Sequence, residues 1–268
     1  MKTVVYQSFR TDDVPRGMAR CLDSVADWAE RRGYAYRFLD DALFDRVPAW
    51  FRARVGGNPL PMSDLARLKV AREWLAAGFE RAVWLDADVL VFDPDAFDVA
   101  HVTDYAFGRE IWVRRGRDAP LVTEGLHNAI CVLCRGNQFL DFYIHACEEI
   151  VRAAETDVLS HQIGPDFLNR LRDVIGGRII PDMGLFSPLV MTDIANGGGP
   201  ALTAYKEAFG HSVRAANLCL SFVDRESSGV TVTGDVFERA IDRLIDTRGQ
   251  VVNGEVSAPA GAKKRRSG

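Results

Sequence analysis

Residues 83 to 94, VWLDADVLVFDP, wrap an apolar run around two carboxylates, Asp86 and Asp88, with a single alanine between them. Val83, Trp84 and Leu85 before the pair, and Val89 to Phe92 after it, call for burial. Most Asp-x-Asp pairs are solvated loop carboxylates, but flanks as apolar as these are hard to reconcile with an exposed loop. Side chains on a strand alternate faces, so an Asp-x-Asp at a strand end lets both carboxylates turn toward one point. Two adjacent hard oxygen ligands suit Mg²⁺ or Mn²⁺ that still holds a substrate's phosphates. Burying two like charges without a cation costs roughly several kcal/mol. The expectation is a metal-dependent site.

The 268 residues suffice for one large core. A net charge of −4 gives no reason to expect a nucleic-acid partner. No run of 18 or more uncharged apolar residues is present, so no segment reads as membrane-spanning, and MKTVVYQSFRTDD reads as a first strand rather than a signal peptide. The five cysteines are scattered, which argues for a reducing, cytoplasmic setting. Cys131 and Cys134 lie in NAICVLC, a buried strand by its pattern, and read as inert core thiols. Residues 256–268 end in Lys263, Lys264, Arg265 and Arg266, and are expected to be a disordered basic tail offering weak peripheral contact with anionic lipid.

A strand over 2–8, a helix over 16–31 and a strand over 34–39 open the chain as βαβ, which implies a parallel sheet with helices on its faces. Residues 47–61 form an irregular crossing with one short helix. Ser63 is placed as the N-cap of a helix to Ala77, stopped by Gly78. Strands are expected over 81–85, 102–107 and 129–134, and helices over 139–154, 165–174 and 236–246. Gly197, Gly198 and Gly199 suggest a flexible loop. The reading is one α/β domain, 1–255, with a mostly parallel central sheet flanked by helices. Ligands of such sheets sit beyond the carboxyl ends of the strands, where Asp86 and Asp88 fall.

Four segments together resemble the retaining nucleotide-sugar glycosyltransferases of the Rossmann-like GT-A fold, families 8 and 32 and their capsule- and lipopolysaccharide-building bacterial relatives. They are VVYQSFRTDDVP, SDLARLKVAREWLAAGFERAVWLDADVLVF with its Asp-x-Asp (DXD) motif, HNAICVLCRGNQFLDFY and GPDFLN. The resemblance implies a metal-dependent transfer of a hexosyl group from a nucleotide-sugar donor, UDP-linked for preference, to an acceptor hydroxyl on a glycan, a lipid-linked sugar or another molecule. It assigns Asp88 to the metal, Asp86 to the metal and the donor ribose, and Asp64 and Arg67 to the nucleotide and diphosphate. It places Gln7 and Phe9 in the base pocket, Asn128 near the donor sugar and Asp166 near the reacting centre. Taken alone, Asp64 and Arg67 would read as an exposed ion pair contributing ~0.3–0.5 kcal/mol.

The chain departs from the family at the third metal ligand, usually a late histidine. Asn217 in AANLCLSF stands at that position, and His211 is the runner-up. The family's Lys-Pro-Trp is missing too, leaving Arg214 or Arg225 as phosphate clamps. Two rivals stand beside the transferase: a haloacid-dehalogenase-type phosphatase using Asp86 and Asp88, and a nucleotide-sugar-binding relative without turnover.

Overall fold

A computed structural model of the chain describes residues 1–254 apart from Gly177 and Ser228. The expected basic tail lies outside the described residues. The chain opens with β1 (Thr3–Ser8), α1 (Arg16–Arg31) and β2 (Ala35–Leu39). Met18, Cys21, Val25 and Trp28 form the buried face of α1, and the Trp28 indole donates to the Phe97 carbonyl at 3.0 Å. After a short turn come α2 (Ala49–Arg54) and α3 (Pro59–Ala76). The cap of α3 is Asn58, whose side chain accepts from the Leu60 N–H, and Ser63 lies inside the helix. Pro59 fits at this start because a first-turn N–H has no helical partner to lose. The longer helix brings Asp64 and Arg67 well past its frayed end, onto the buried side.

β3 (Arg81–Leu85) runs into the Asp-x-Asp, and β4 (Val89–Val91) follows at once. β5 (Tyr105–Arg114) and β6 (Leu121–Cys134) make a hairpin longer than the two expected strands. Then come α4 (Phe139–Ala153), α5 (Pro165–Ile175), β7 (Ile179–Ile180), β8 (Met183–Leu185), α6 (Pro188–Asn196), α7 (Pro200–Phe209) and β9 (Ala215–Asn217). A small hairpin, β10 (Glu226–Ser227) with β11 (Val230–Thr231), precedes α8 (Gly234–Asp246) and α9 (Gln250–Asn253). The glycine run 197–199 is no open loop. It is a tight corner between α6 and α7, where the Asp193 carboxylate accepts from the Ala201 and Leu202 N–H groups at 2.8 and 3.0 Å.

The central six-stranded sheet has the order β2-β1-β3-β6-β5-β7. β1 is parallel to β2 and β3, β5 is parallel to β7, and β6 runs antiparallel to both of its neighbours. This is the expected mostly parallel α/β, Rossmann-like arrangement, with one reversed strand. One core packs Leu65, Leu68, Phe107, Tyr143 and Cys147. A second, around Phe186, Ile194, Tyr205, Phe237 and Leu244, lies over a three-stranded sheet of order β4-β9-β8. Among the described residues no helix is long and apolar enough to cross a membrane, and the described cysteines are free.

Candidate active site

The Asp-x-Asp lies where the chain passes from one sheet to the other. β3 ends at Leu85 and β4 begins at Val89, so each aspartate is held by a different sheet. Asp86 N–H donates to the Ala129 carbonyl at 2.8 Å, on the central sheet. Asp88 is held by the smaller sheet: its carbonyl accepts from Leu218 N–H at 3.0 Å. Its carboxylate accepts from Asn217 Nδ2 at 2.7 Å and from Leu220 N–H at 2.8 Å.

An irregularity in the hairpin opens the space above the pair. Phe107 pairs with Cys131 but Gly108 pairs with His127, leaving Asn128, Ala129 and Ile130 without partners on β5. A bulge of this kind re-aims side chains. Here it turns backbone and side chains of β6 toward the end of β3. The Asn128 carbonyl accepts from Arg67 at 2.8 Å, and its amide donates to Asp64 Oδ1 at 2.8 Å. Gly164, just before α5, lets this cluster close: a Cβ there would lie 2.7 Å from Asp64 Oδ2 and 2.9 Å from Asn128 Nδ2.

Arg67 is the electrostatic hub. It sits 2.8 Å from Asp64 Oδ1 and 3.1 Å from Asp86 Oδ1, with its guanidinium 4.9 Å from the Trp84 ring. Ser63 accepts from it twice more, through its carbonyl and its hydroxyl. Both Asp64 and Arg67 are buried, so the exposed ion-pair reading is overturned. Burial pushes Asp64 up to about 6, against the pull of Arg67. Burial works against the Arg67 charge, but Asp86 and Asp64 together raise it. Removing either partner from a pair like this leaves a buried charge uncompensated.

The resulting cavity, about 530 Å³, is lined by Phe9, Arg10, Arg67, Asp86, Asp88, Glu110, His127, Asn128 and Asn217, among others. Of the residues expected at the base, Phe9 lines it. Gln7 does not: it is fully buried, donating to the Asp86 carbonyl at 3.1 Å and accepting from the Tyr36 hydroxyl at 3.1 Å. It braces the end of the strand that delivers Asp86. Asp64 likewise backs the cavity and is not among the residues that line it. His211 falls in a separate cleft with Lys206 and Asn253. Arg214 is held by Asp93 at 2.6 Å, and Arg225 does not line the cavity. The cation at the mouth is Arg10, 5.2 Å over the Phe9 ring, which the loop pattern gave no reason to single out.

Asp86 and Asp88 fit a divalent cation. Burial, then the charge of Asp86, pushes Asp88 up to about 6, a repulsion that a cation would relieve. Asp86 Oδ1 is taken by Arg67 and by the Trp84 indole at 2.6 Å, which leaves Oδ2 for a ligand. Asn217 does not fit as a ligand in the way it is seated. Its amide nitrogen faces Asp88, and its oxygen accepts from Cys219 N–H at 2.8 Å. Among the described residues no group of three or more His, Cys, Asp or Glu side chains is placed to hold a metal. Asp166 stands in the first turn of α5, 2.8 Å from His161 Nδ1, with its side chain 43% exposed. Its charge, after burial, helps push Glu110 up to about 7.

No family model matches the chain, and no curated protein matches it. Among solved structures, a glycosyltransferase involved in the glycosylation of the major capsid of PBCV-1 is similar at 10% identity with a TM-score of 0.47. That alignment covers 90% of this chain and 99% of the other. A197 from STIV is similar over 53% of this chain and 68% of its own, at 12% identity with a TM-score of 0.26. Likenesses this distant do not assign an activity; the geometry of the site has to carry it.

Proposed function

We propose that the protein transfers a glycosyl group from a nucleoside-diphosphate sugar, UDP-linked for preference, to an acceptor hydroxyl, with Asp86 and Asp88 holding Mn²⁺ or Mg²⁺. The observation that carries this is the half-buried Asp86/Asp88 pair at the carboxyl end of β3, lining a cavity of about 530 Å³. Phe9 and Arg10 offer an aromatic face and a cation at the β1 end, suited to a base and its phosphates. The bound cation would neutralise charge on the departing diphosphate. Trp84 and Arg67 fix the Asp86 carboxylate, and Asn217 and the Leu220 N–H fix that of Asp88, so both are oriented before any ligand arrives. Asn217 acts as an orienting donor to Asp88. The family resemblance implies a role for Asp166 near the reacting centre and retention at the anomeric carbon, although Asp166 itself does not line the cavity.

The phosphatase reading uses the same pair, with Asp86 Oδ2 as the carboxylate oxygen left open by Arg67 and Trp84, so substrate choice has to separate the two. The test is release of free nucleotide from UDP-, GDP- and dTDP-sugars with Mn²⁺ present. Wild-type protein should hydrolyse one donor slowly, and Asp88→Asn should reduce metal-dependent release by about 10²-fold or more while still melting in one cooperative transition. A full-rate Asp88→Asn protein sinks the metal assignment. Phosphate release from simple monoesters would move the reading to a phosphatase.

A further inference from the structure

On the β5 side of the cavity, two of the lining residues, His127 and Glu110, carry polar groups without a protein partner among the described residues. His127 is 2% exposed, and its Nε2 is buried with no hydrogen-bond partner among the described residues. Its Nδ1 accepts from Ala129 N–H at 3.2 Å, which places the ring proton on Nε2. Burial pulls the imidazole down to about 3, so it stays a neutral donor at any working pH. The ring lies against Gly108, where a Cβ would come within 2.1 Å of Nε2; any other residue there would displace the ring. Glu110 is two residues along the same strand and so on the same face. It too lines the cavity, and no hydrogen bond or ion pair engages its carboxyl among the described residues. The two residues therefore sit on neighbouring strands along one wall of the cavity, one a donor and one an acceptor.

A buried N–H left unpaired costs about 1–3 kcal/mol, and of the buried side-chain groups without a partner among the described residues, His127 Nε2 is the one whose residue lines this cavity. The sheet order puts Phe9 on β1, Asp86 after β3, His127 on β6 and Glu110 on β5. A ligand whose base lies over β1 and whose diphosphate lies over β3 has its sugar over β6 and β5. We infer that His127 and Glu110 clasp two neighbouring hydroxyls of the donor's pyranose, the imidazole N–H donating to one and the Glu110 carboxyl accepting from the other. The inference rests on the glycosyl-transfer reading, and it narrows the donor to a hexose carrying an unsubstituted vicinal diol.

Calorimetry in the presence of Mn²⁺ separates the two claims. Bare UDP, GDP and dTDP are compared with UDP-glucose, UDP-galactose, GDP-mannose and dTDP-glucose on wild-type protein and on Glu110→Ala, Glu110→Gln and His127→Phe. Wild-type protein should bind one nucleoside diphosphate, and bind its hexose ester at least about 10-fold more tightly. Glu110→Ala and His127→Phe should lose that gain while binding the bare nucleotide within about 2-fold of wild type, and Glu110→Gln, which keeps an acceptor oxygen, should retain part of it. Where His127→Phe does not fold, the half-buried Glu110 position carries the test alone. If wild-type protein binds no nucleotide, the transferase reading falls and this one with it. If the nucleotide binds but the hexose adds nothing, or the folded variants keep the gain, the clasp is overturned and the transferase reading stands. Equal loss of bare-nucleotide affinity also overturns it, since both residues would then merely support the nucleotide end.

Discussion

At the scale of single residues, Arg67 has no N–H group to spare. Two carboxylates, the Asn128 carbonyl and two oxygens of Ser63 accept from its guanidinium. Its charge offsets Asp64 and Asp86 before any substrate phosphate is present. Its main task is then to hold the Asp86 carboxylate in place, and the resemblance-based phosphate contact would require one of these bonds to break. Arg67→Met keeps much of the bulk and removes the charge, so it should destabilise the fold by about 3–5 kcal/mol, read from a urea titration. An effect within about 0.5 kcal/mol would return Arg67 to the class of dispensable surface pairs. The sequence showed Asp64 and Arg67 on one helix face, but an i,i+3 ion pair reads the same whether buried or exposed. Gln7 posed a similar ambiguity, since an amide at a strand end reads alike facing a ligand or facing inward. Asp86 and Asp88 were legible for the opposite reason: two charges inside VWLDADVLVF have few places to go except a site.

At the scale of elements, regular pieces were readable and their irregular joints were not. The helix over 16–31 and the strand over 81–85 were placed to the residue, because each has a full apolar period of its own. β4, β8 and β9 are three residues each, too short to show any alternation, so the second sheet left no trace in the pattern. The three β6 residues without partners on β5 were equally invisible, and with them the positions of His127 and Glu110, because the register shift decides how those side chains are presented. The start of α5 offers a test at this scale. Gly164→Ala places a methyl against Asp64 and Asn128, and overpacking of this kind costs roughly 1–3 kcal/mol. We expect a lower melting temperature and a weakened affinity for the nucleotide sugar. A variant with wild-type values for both would show that α5 can retreat freely from the Asp64 cluster.

For the whole molecule, the buried carboxyls tie stability to pH. Burial pushes Asp64, Asp88 and Asp182 each up to about 6, above the ~3.9 of an unfolded aspartate. The folded state therefore holds more protons than the unfolded state between about pH 4 and 6, and these groups make the protein less stable as pH rises through that window. On the proposed reading a divalent cation would reverse part of this by binding the ionised Asp88. Saturating Mn²⁺ should raise the melting temperature clearly at pH 7.5 and by much less at pH 5, where a proton competes for the same oxygens. Equal shifts at both pH values would separate the cation from Asp88.

The passage of the chain from β3 to β4 has a mechanical meaning. Asp86 moves with one sheet and Asp88 with the other, so the bite between the two carboxylates measures how those sheets are aligned. A slip of a fraction of an ångström between the layers would widen or narrow that bite, and an ion held by both carboxylates would resist the slip in equal measure. Occupancy of the pocket and the internal alignment of the protein are then one variable, read from two ends.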